Sequence, residues 1–346
     1  MTNSDLKIAM QQAGARFAEQ TSDRPLHFGS SKEEHIQHGK AALLFDLPKQ
    51  TLLEVTGADR AVFIQKFCTN DIVALPPGRW CEAFVTDINS HVIAHLQIYA
   101  EAEALWITTA DSCGEAVWNH FDRYIFNDDI AFHNRSDDYE LLFLSGKKSA
   151  QLLSELNTIE LNAHYVGELT GMHCAVSRVD RLQEPGFLIR IPHTDASTLW
   201  QGLVAAGASP AGNLVYESLR IAAGWPVDGI DIPEKTLAQE VGRTSQAISF
   251  NKGCYLGQEP IARIDALGHV NKTLCKLKIA SSSLPEPRAT ICTTTSDKEI
   301  GYITSAAISY DDNQIDALCY LRRKELTEAT QLLVNVNGTL VAAAGR

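Results

Sequence analysis

The chain has 346 residues, a formal net charge of −12, 45 % apolar and 21 % charged residues. That length exceeds the roughly 250–300 residues at which one hydrophobic core stops growing, so two or three domains are expected. The acidic balance argues against a broad nucleic-acid or anionic-membrane footprint while leaving room for a local basic pocket. No run approaches the ~18 apolar residues of a membrane span.

The start, Met1 to Gln20, is polar and amphipathic, with Asp5 and Glu19. It lacks the basic and apolar regions of a secretory signal, so a cytoplasmic location is predicted. Up to about residue 37 a helix followed by an ordered extension is expected and nothing more specific.

An internal repeat follows. Leu53-Glu54-Val55-Thr56-Gly57 leads into Ala61, Phe63, Ile64 and Phe67; 89 positions on, Leu142-Phe143-Leu144-Ser145-Gly146 leads into Ala150, Leu152, Leu153 and Leu156. Each is a short apolar strand, a hydroxyl-glycine turn and a helix with apolar residues at helical spacing. Leu105-Trp106-Ile107 with Val117, Trp118 and Phe121 is matched by Phe187-Leu188-Ile189 with Leu199, Trp200 and Leu203, now 82 positions on. Strands are predicted over 80–87 and 92–99 in the first copy and over 173–179 in the second. Each copy reads strand–helix–strand–strand–strand–helix. That favours α+β with antiparallel sheets over a doubly wound parallel sheet, which alternates strand and helix throughout.

A helix is predicted from Asn213 to Ala223, stopped by Gly224 and Pro226. Residues 228 to 243 are rich in Pro, Gly and acids and read as a long ordered loop. Beyond Asn271, strand-like pieces at 274–279, 300–305, 317–321 and 332–336, with turns between them, predict a small β-barrel or sandwich. Eight cysteines are scattered without C-x-x-C spacing, so neither a structural zinc site nor a self-contained cluster site is expected.

Residues 252 to 259 read Lys-Gly-Cys-Tyr-Leu-Gly-Gln-Glu and concentrate chemistry. A thiol reacts as thiolate, and a neighbouring cation favours that form. On a strand, Lys252 and Cys254 would share a face. Lys252 can then activate Cys254 or meet a ligand carboxylate. Tyr255 supplies an aromatic face, Gln258 a donor and an acceptor, and Glu259 a carboxylate that can meet the paired N–H donors of a pterin-like ring. Glu217 and Arg220, three apart on one helical face, are either ligand groups or a surface ion pair. Arg263 and Lys272 can anchor an acidic tail or be solvated cations.

The run Glu217-Ser-Leu-Arg-Ile-Ala-Ala-Gly-Trp-Pro, then Leu237-Ala-Gln-Glu, then Ile248 through the octapeptide to Arg263, then Gly268-His-Val-Asn-Lys272, resembles the YgfZ-type folate-binding proteins. Val55-Thr-Gly-Ala-Asp-Arg60, Phe67, Thr69-Asn70-Asp71 and Gly301-Tyr-Ile-Thr-Ser305 match the same pattern. That family is related to the glycine-cleavage T-protein, an aminomethyltransferase, and to a mitochondrial factor that matures 4Fe–4S proteins. The resemblance implies a GcvT-like ring of two antiparallel, ferredoxin-like α+β lobes and a C-terminal β-barrel around tetrahydrofolate. It divides the chain into 1–50 (extension and first part of lobe one), 51–136 (lobe two), 137–265 (remainder of lobe one, with the octapeptide) and 266–346 (barrel).

It further implies that Cys254 is the residue needed for activity, and that Glu217, Arg220, Lys252, Tyr255, Gln258, Glu259 and Arg263 bind a folate, with no metal held. Function would lie in maturation or repair of iron–sulfur proteins, linked to tRNA-modifying enzymes, with folate and iron–sulfur clients or assembly factors as partners and neither direct nucleic-acid nor membrane contact. Two departures from the T-protein pattern matter. Its acid pair is replaced by Ala94-His95, and its pterin-binding glutamate by Ala222. Aminomethyl transfer is therefore disfavoured, although His95 can serve as a replacement acid–base group. A folate-dependent aminomethyltransferase- or demethylase-like enzyme and a folate-free scaffold remain the rivals.

Overall fold

A computed structural model describes residues 4–18, 24–153, 160–325 and 331–345. Two sheets share one plan. The first has the order Arg79–Thr86, Val92–Ala100, Leu105–Ala110, Gln50–Thr56, Ala131–Asn134, all antiparallel. The second has the order His164–Leu169, Met172–Arg178, Gly186–Pro192, Tyr139–Ser145, Leu43–Asp46, with Ser209–Pro210 added in parallel at the edge. Helices Arg60–Gln65 and Gly114–Asp122 of the first copy correspond to Ser149–Leu152 and Ala196–Ala205 of the second. The six-element repeat expected from the sequence is present in both halves, and the second copy gains the strand His164–Leu169, which the sequence reading passed over. Leu156 of the repeat pattern lies outside the described residues.

The fifth strand of each sheet precedes the other sheet's repeat. Leu43–Asp46, just ahead of the first copy, pairs with Tyr139–Ser145 of the second; Ala131–Asn134, just ahead of the second, pairs with Gln50–Thr56 of the first. The two halves are thereby interlocked. The hydroxyl-glycine turn recurs for a steric reason. Gly57 and Gly146 have φ of 100° and 131°, and a Cβ on either would fall 2.1 Å from Asp129 O or 2.4 Å from Ala41 O, space that only glycine leaves open.

Strand periodicity distributes side chains between three cores. Leu53 and Val55 join Ala94, Leu96 and Ile98 under the first copy's helices. Leu142 and Leu144 join Val176, Ile189 and Trp200 under the second copy's, where Leu6 and Met10 of helix Ser4–Gln12 also pack. The alternate residues Leu52, Tyr99 and Trp106 of one sheet meet Phe45, Leu141, Phe143 and Leu188 of the other, together with Val215 and Leu219. The result is a helix–sheet–sheet–helix stack with helix Asn213–Ala223 against its middle layer.

The C-terminal strands close into a six-stranded barrel, ordered Lys272–Ile279, Ile315–Arg322, Ser296–Ile308, Thr290–Thr293, Leu332–Val336, Thr339–Gly345. Its Ile, Leu and Val residues fill the interior. Two α+β halves and a C-terminal barrel are the arrangement expected from the sequence. Two of the barrel strands, Thr290–Thr293 and Thr339–Gly345, were not foreseen; their Thr, Ala and Gly content gives no apolar alternation to read. Among the described residues no helix is long and apolar enough to cross a membrane.

Candidate functional site

A cavity of about 670 Å³ opens where the middle layer turns polar. Along Val92–Ala100 the inward positions run Tyr99, Gln97, His95, and the last two line the cavity. The lining also includes Tyr216, Glu217 and Arg220 of helix Asn213–Ala223, then Trp225, Asp228 and Arg181. That helix ends where the sequence places its stop. Gly224 adopts φ 86° and returns its N–H to Arg220 O and Ile221 O, which turns Trp225 and Asp228 toward the cavity.

Arg220 is 1 % exposed and saturated with acceptors. Its Nε donates to both Glu217 oxygens at 2.9 Å and Nη2 to Glu217 Oε2 at 2.6 Å. Nη1 donates to Asp231 Oδ2 at 2.9 Å and to Trp225 O at 3.1 Å. Asp231, fully buried, also accepts from Thr304 Oγ1 and Ser305 Oγ of the barrel at 2.6 Å each. Burial opposes the Arg220 charge, and the Glu217 and Asp231 carboxylates more than restore it. Glu217 keeps a third of its side chain open to the cavity. Arg220 is thus a positioning residue that presents Glu217 and ties the cavity wall to the barrel.

On the facing wall His95 Nε2 lies 2.9 Å from Glu82 Oε2, and Arg243 closes on both Glu82 oxygens, Nε at 2.8 Å and Nη2 on the other oxygen. Burial works to raise the Glu82 carboxyl, but His95 and Arg243 outweigh it and hold it down at about 2. An ionised carboxylate only accepts, so Nε2 carries the proton. Asp228 reaches the backbone N–H of His95 (3.0 and 3.2 Å) and the Thr109 hydroxyl (3.2 Å). Burial pushes its carboxyl up to about 6, against the lowering influence of the His95 charge and those two donors. The strand positions Ala94-His95 supply no carboxylate, yet Asp228 brings one to His95 from the loop.

Residues 6–252 match the family model described as GCVT N-terminal domain. The chain belongs to the GCVT family. A putative chloroplastic transferase of Arabidopsis thaliana is 29 % identical over 286 residues, spanning 80 % of this chain and 65 % of that protein. An aminomethyltransferase of Chloroherpeton thalassium is 24 % identical over 345 residues, 96 % of this chain and 94 % of its own. The crystal structure of glycine cleavage system aminomethyltransferase T from Bartonella henselae superposes with a TM-score of 0.87 at 20 % identity, covering 99 % of this chain and 96 % of that one. At that identity the likeness establishes the fold.

The octapeptide departs from the strand expected of it. Residues 252–257 form a loop leading into helix Gln258–Leu267, not a strand. Lys252 is buried while Cys254 is exposed, so the two do not share a face. The Lys252 ammonium donates to the carbonyls of Gln65 (2.8 Å), Cys68 (2.5 Å) and Asn70 (2.7 Å) and sits 4.7 Å from the Tyr255 ring centroid. Burial lowers it to about 8. It clips the loop to the Thr69-Asn70-Asp71 segment, where Thr69 Oγ1 also donates to Ala247 O at 2.6 Å. Tyr255 is buried beside Phe84 and Ile261 and offers no free face. Glu259 and Arg263 are exposed on the following helix, with Gln258 at its start. None of Lys252, Cys254, Tyr255, Gln258, Glu259 or Arg263 lines the cavity that holds Glu217, Arg220 and His95. Lys272 pairs with Glu240 at 3.7 Å.

Among the cavity residues to which the sequence reading gave no site role are Asp228, Arg181, Gln97 and Tyr216. Asp228 had a signal. It opens the acid-rich loop immediately after the predicted helix stop.

Proposed function

We propose that this GCVT-family chain binds tetrahydrofolate or a one-carbon derivative in the cavity and acts in the cytoplasm as an accessory protein in the maturation or repair of iron–sulfur proteins, among them tRNA-modifying enzymes. The observation that carries the folate reading is the Glu217 carboxylate, open to the cavity and held at both oxygens by Arg220. An acceptor-only group so fixed suits the adjacent N–H donors on one edge of a pterin. The residues fit such a ring in a second respect. Arg181, on the cavity lining, has a buried Nε with no hydrogen-bond partner among the described residues. Bound there, the reduced folate supplies one-carbon donation or acceptance. Glu217 orients it, and the aromatic and apolar layer behind Tyr216 and Trp225 excludes water from one side.

The accessory role is supported by Cys254, whose exposed thiol stands outside the cavity, where a protein partner can reach it. Calorimetry of the anaerobic protein with tetrahydrofolate tests the folate reading; the absence of both binding heat and thermal shift would overturn it. One observation favours a second reading, transfer of a one-carbon unit by the chain itself. Asp228 places a carboxyl raised to about 6 in the cavity, where it can move a proton near neutrality. Turnover of a methylated or aminomethylated amine by the unaltered protein would decide for that reading.

A further inference from the structure

Four arginines lie in or near the middle layer, and three have a carboxylate: Arg220 has Glu217 and Asp231, Arg243 has Glu82, and Arg190 has Glu101. Arg181 is different. It is 2 % exposed and lines the cavity, yet no ion pair joins it to a carboxylate among the described residues. Nη2 makes a single long bond to Gln97 Oε1 at 3.4 Å, and that oxygen already accepts from Thr108 Oγ1 at 3.1 Å. Nε has no partner. The guanidinium carbon lies 5.1 Å from the Trp225 ring centroid and 5.5 Å from that of Phe143, and the buried Tyr99 hydroxyl is a neighbour close enough to Arg181 and Thr108 for both to act on it against its burial.

Stacking on aromatic faces offsets part of the cost of a buried cation, but it satisfies none of the N–H donors. Buried donors without acceptors are rare, and a site lined by them expects its acceptor from elsewhere. The group supplied must be rigid and must tolerate full desolvation. The carboxylates of a flexible tail are poor candidates because they hold water strongly and gain by remaining at the cavity mouth. A lactam carbonyl oxygen on a planar ring qualifies.

We infer that Arg181, supported by Gln97, holds the 4-oxo group of the bound pterin and so selects lactam-bearing rings over amino-substituted ones. This rests on the folate reading above. It gives the ring edge two readers of opposite kind, with Glu217 accepting from its N–H groups and Arg181 donating to the neighbouring carbonyl. A 4-amino substituent would place donors against donors, which a site built for an acceptor rejects.

The test is anaerobic titration calorimetry of the full chain and of Arg181→Met with three probes: 5-formyltetrahydrofolate, its 2,4-diamino analogue, and tail-less 6-methyltetrahydropterin. The unaltered protein should bind the 4-oxo folate about ten- to a hundredfold more tightly than the diamino analogue, the range expected of a charged hydrogen bond. Arg181→Met should bring that preference to within about threefold, and should weaken the tail-less pterin as much as the full folate. Equal affinities of the oxo and amino compounds for the unaltered protein would overturn the inference alone. So would a penalty in Arg181→Met that vanishes with the tail-less pterin, since Arg181 would then be reading the tail. Failure of every probe to bind the unaltered protein would sink the folate reading itself. Arg181→Met is close to isosteric and removes an unpaired charge, so its melting temperature should not fall. If it does not fold, an oxo-to-amino ratio near one in the unaltered protein still overturns the inference.

Discussion

Arg220 grips Glu217 from one turn away on the same helix, with Nε 2.9 Å from both carboxylate oxygens and Nη2 2.6 Å from one of them. The pair is not a surface ion pair, because the guanidinium is buried while the carboxylate keeps a third of its side chain open. Glu217→Gln keeps the shape and one acceptor oxygen but loses the charge. Tetrahydrofolate affinity should fall by about tenfold or more, the scale of a charged hydrogen bond at 1.5–3 kcal/mol. Stability should change little, since Arg220 keeps Asp231. Calorimetry beside a denaturation curve checks both, and unchanged affinity would remove Glu217 from the site.

Arg220→Met should act on stability as well. It strands Asp231, which is fully buried and shares its oxygens with Val227 N, Thr304 and Ser305. Breaking one side of a buried charge pair costs about 3–5 kcal/mol. The loss should appear as a lower urea midpoint and should include the contact between barrel and helix, because Thr304 and Ser305 belong to the barrel. A midpoint within error of the unaltered chain would show that Arg220 is dispensable to that junction.

Lys252 is the residue whose role changed most between sequence and structure. Three carbonyl acceptors at 2.5–2.8 Å make it a clip. Lys252→Met should therefore destabilise the chain by on the order of 3 kcal/mol, the cost of leaving buried carbonyls without their donor. Folate affinity of the folded fraction should stay within about twofold. A large loss of affinity at full stability would return Lys252 to the ligand site.

The reason this was not legible lies in what the motif bonds to. The helix Asn213–Ala223 and its stop follow from local signals, Gly224 and Pro226, and the repeat follows from apolar alternation and the turns at Gly57 and Gly146. The partners of Lys252 are main-chain carbonyls more than 180 residues away, and a carbonyl leaves no trace in a sequence. The same holds for Arg181, whose distinguishing property is the absence of a carboxylate. Glu217 and Arg220 could be paired from their spacing, but which of the two stays accessible depends on Asp231 and on the barrel behind it.

Cys254 separates ligand binding from partner chemistry. It is exposed and contributes nothing to the cavity lining. Cys254→Ser should leave the melting temperature and tetrahydrofolate affinity unchanged while abolishing rescue of a strain lacking the protein. Full rescue would remove the thiol from the proposed function.

Asp228 should reveal itself through pH. Burial raises its carboxyl to about 6 from an ordinary 3.8, opposed by the His95 charge, the His95 N–H and the Thr109 hydroxyl. A folded-state pKa above the unfolded one means that the folded chain holds the proton more tightly, so protonation favours folding. The advantage is complete below about 4 and is lost as pH rises through 6. Asp228→Asn carries no such dependence and can still accept from the His95 N–H. The stability of the unaltered chain relative to Asp228→Asn should therefore drop between pH 4 and 6, by on the order of 2–3 kcal/mol, and stay level above. Urea unfolding of both proteins at pH 4.5, 5.5, 6.5 and 7.5 measures the difference directly. A gap that is constant with pH would mean that Asp228 ionises as freely as an exposed aspartate. Its place as a proton-moving group in the cavity would then fall with it.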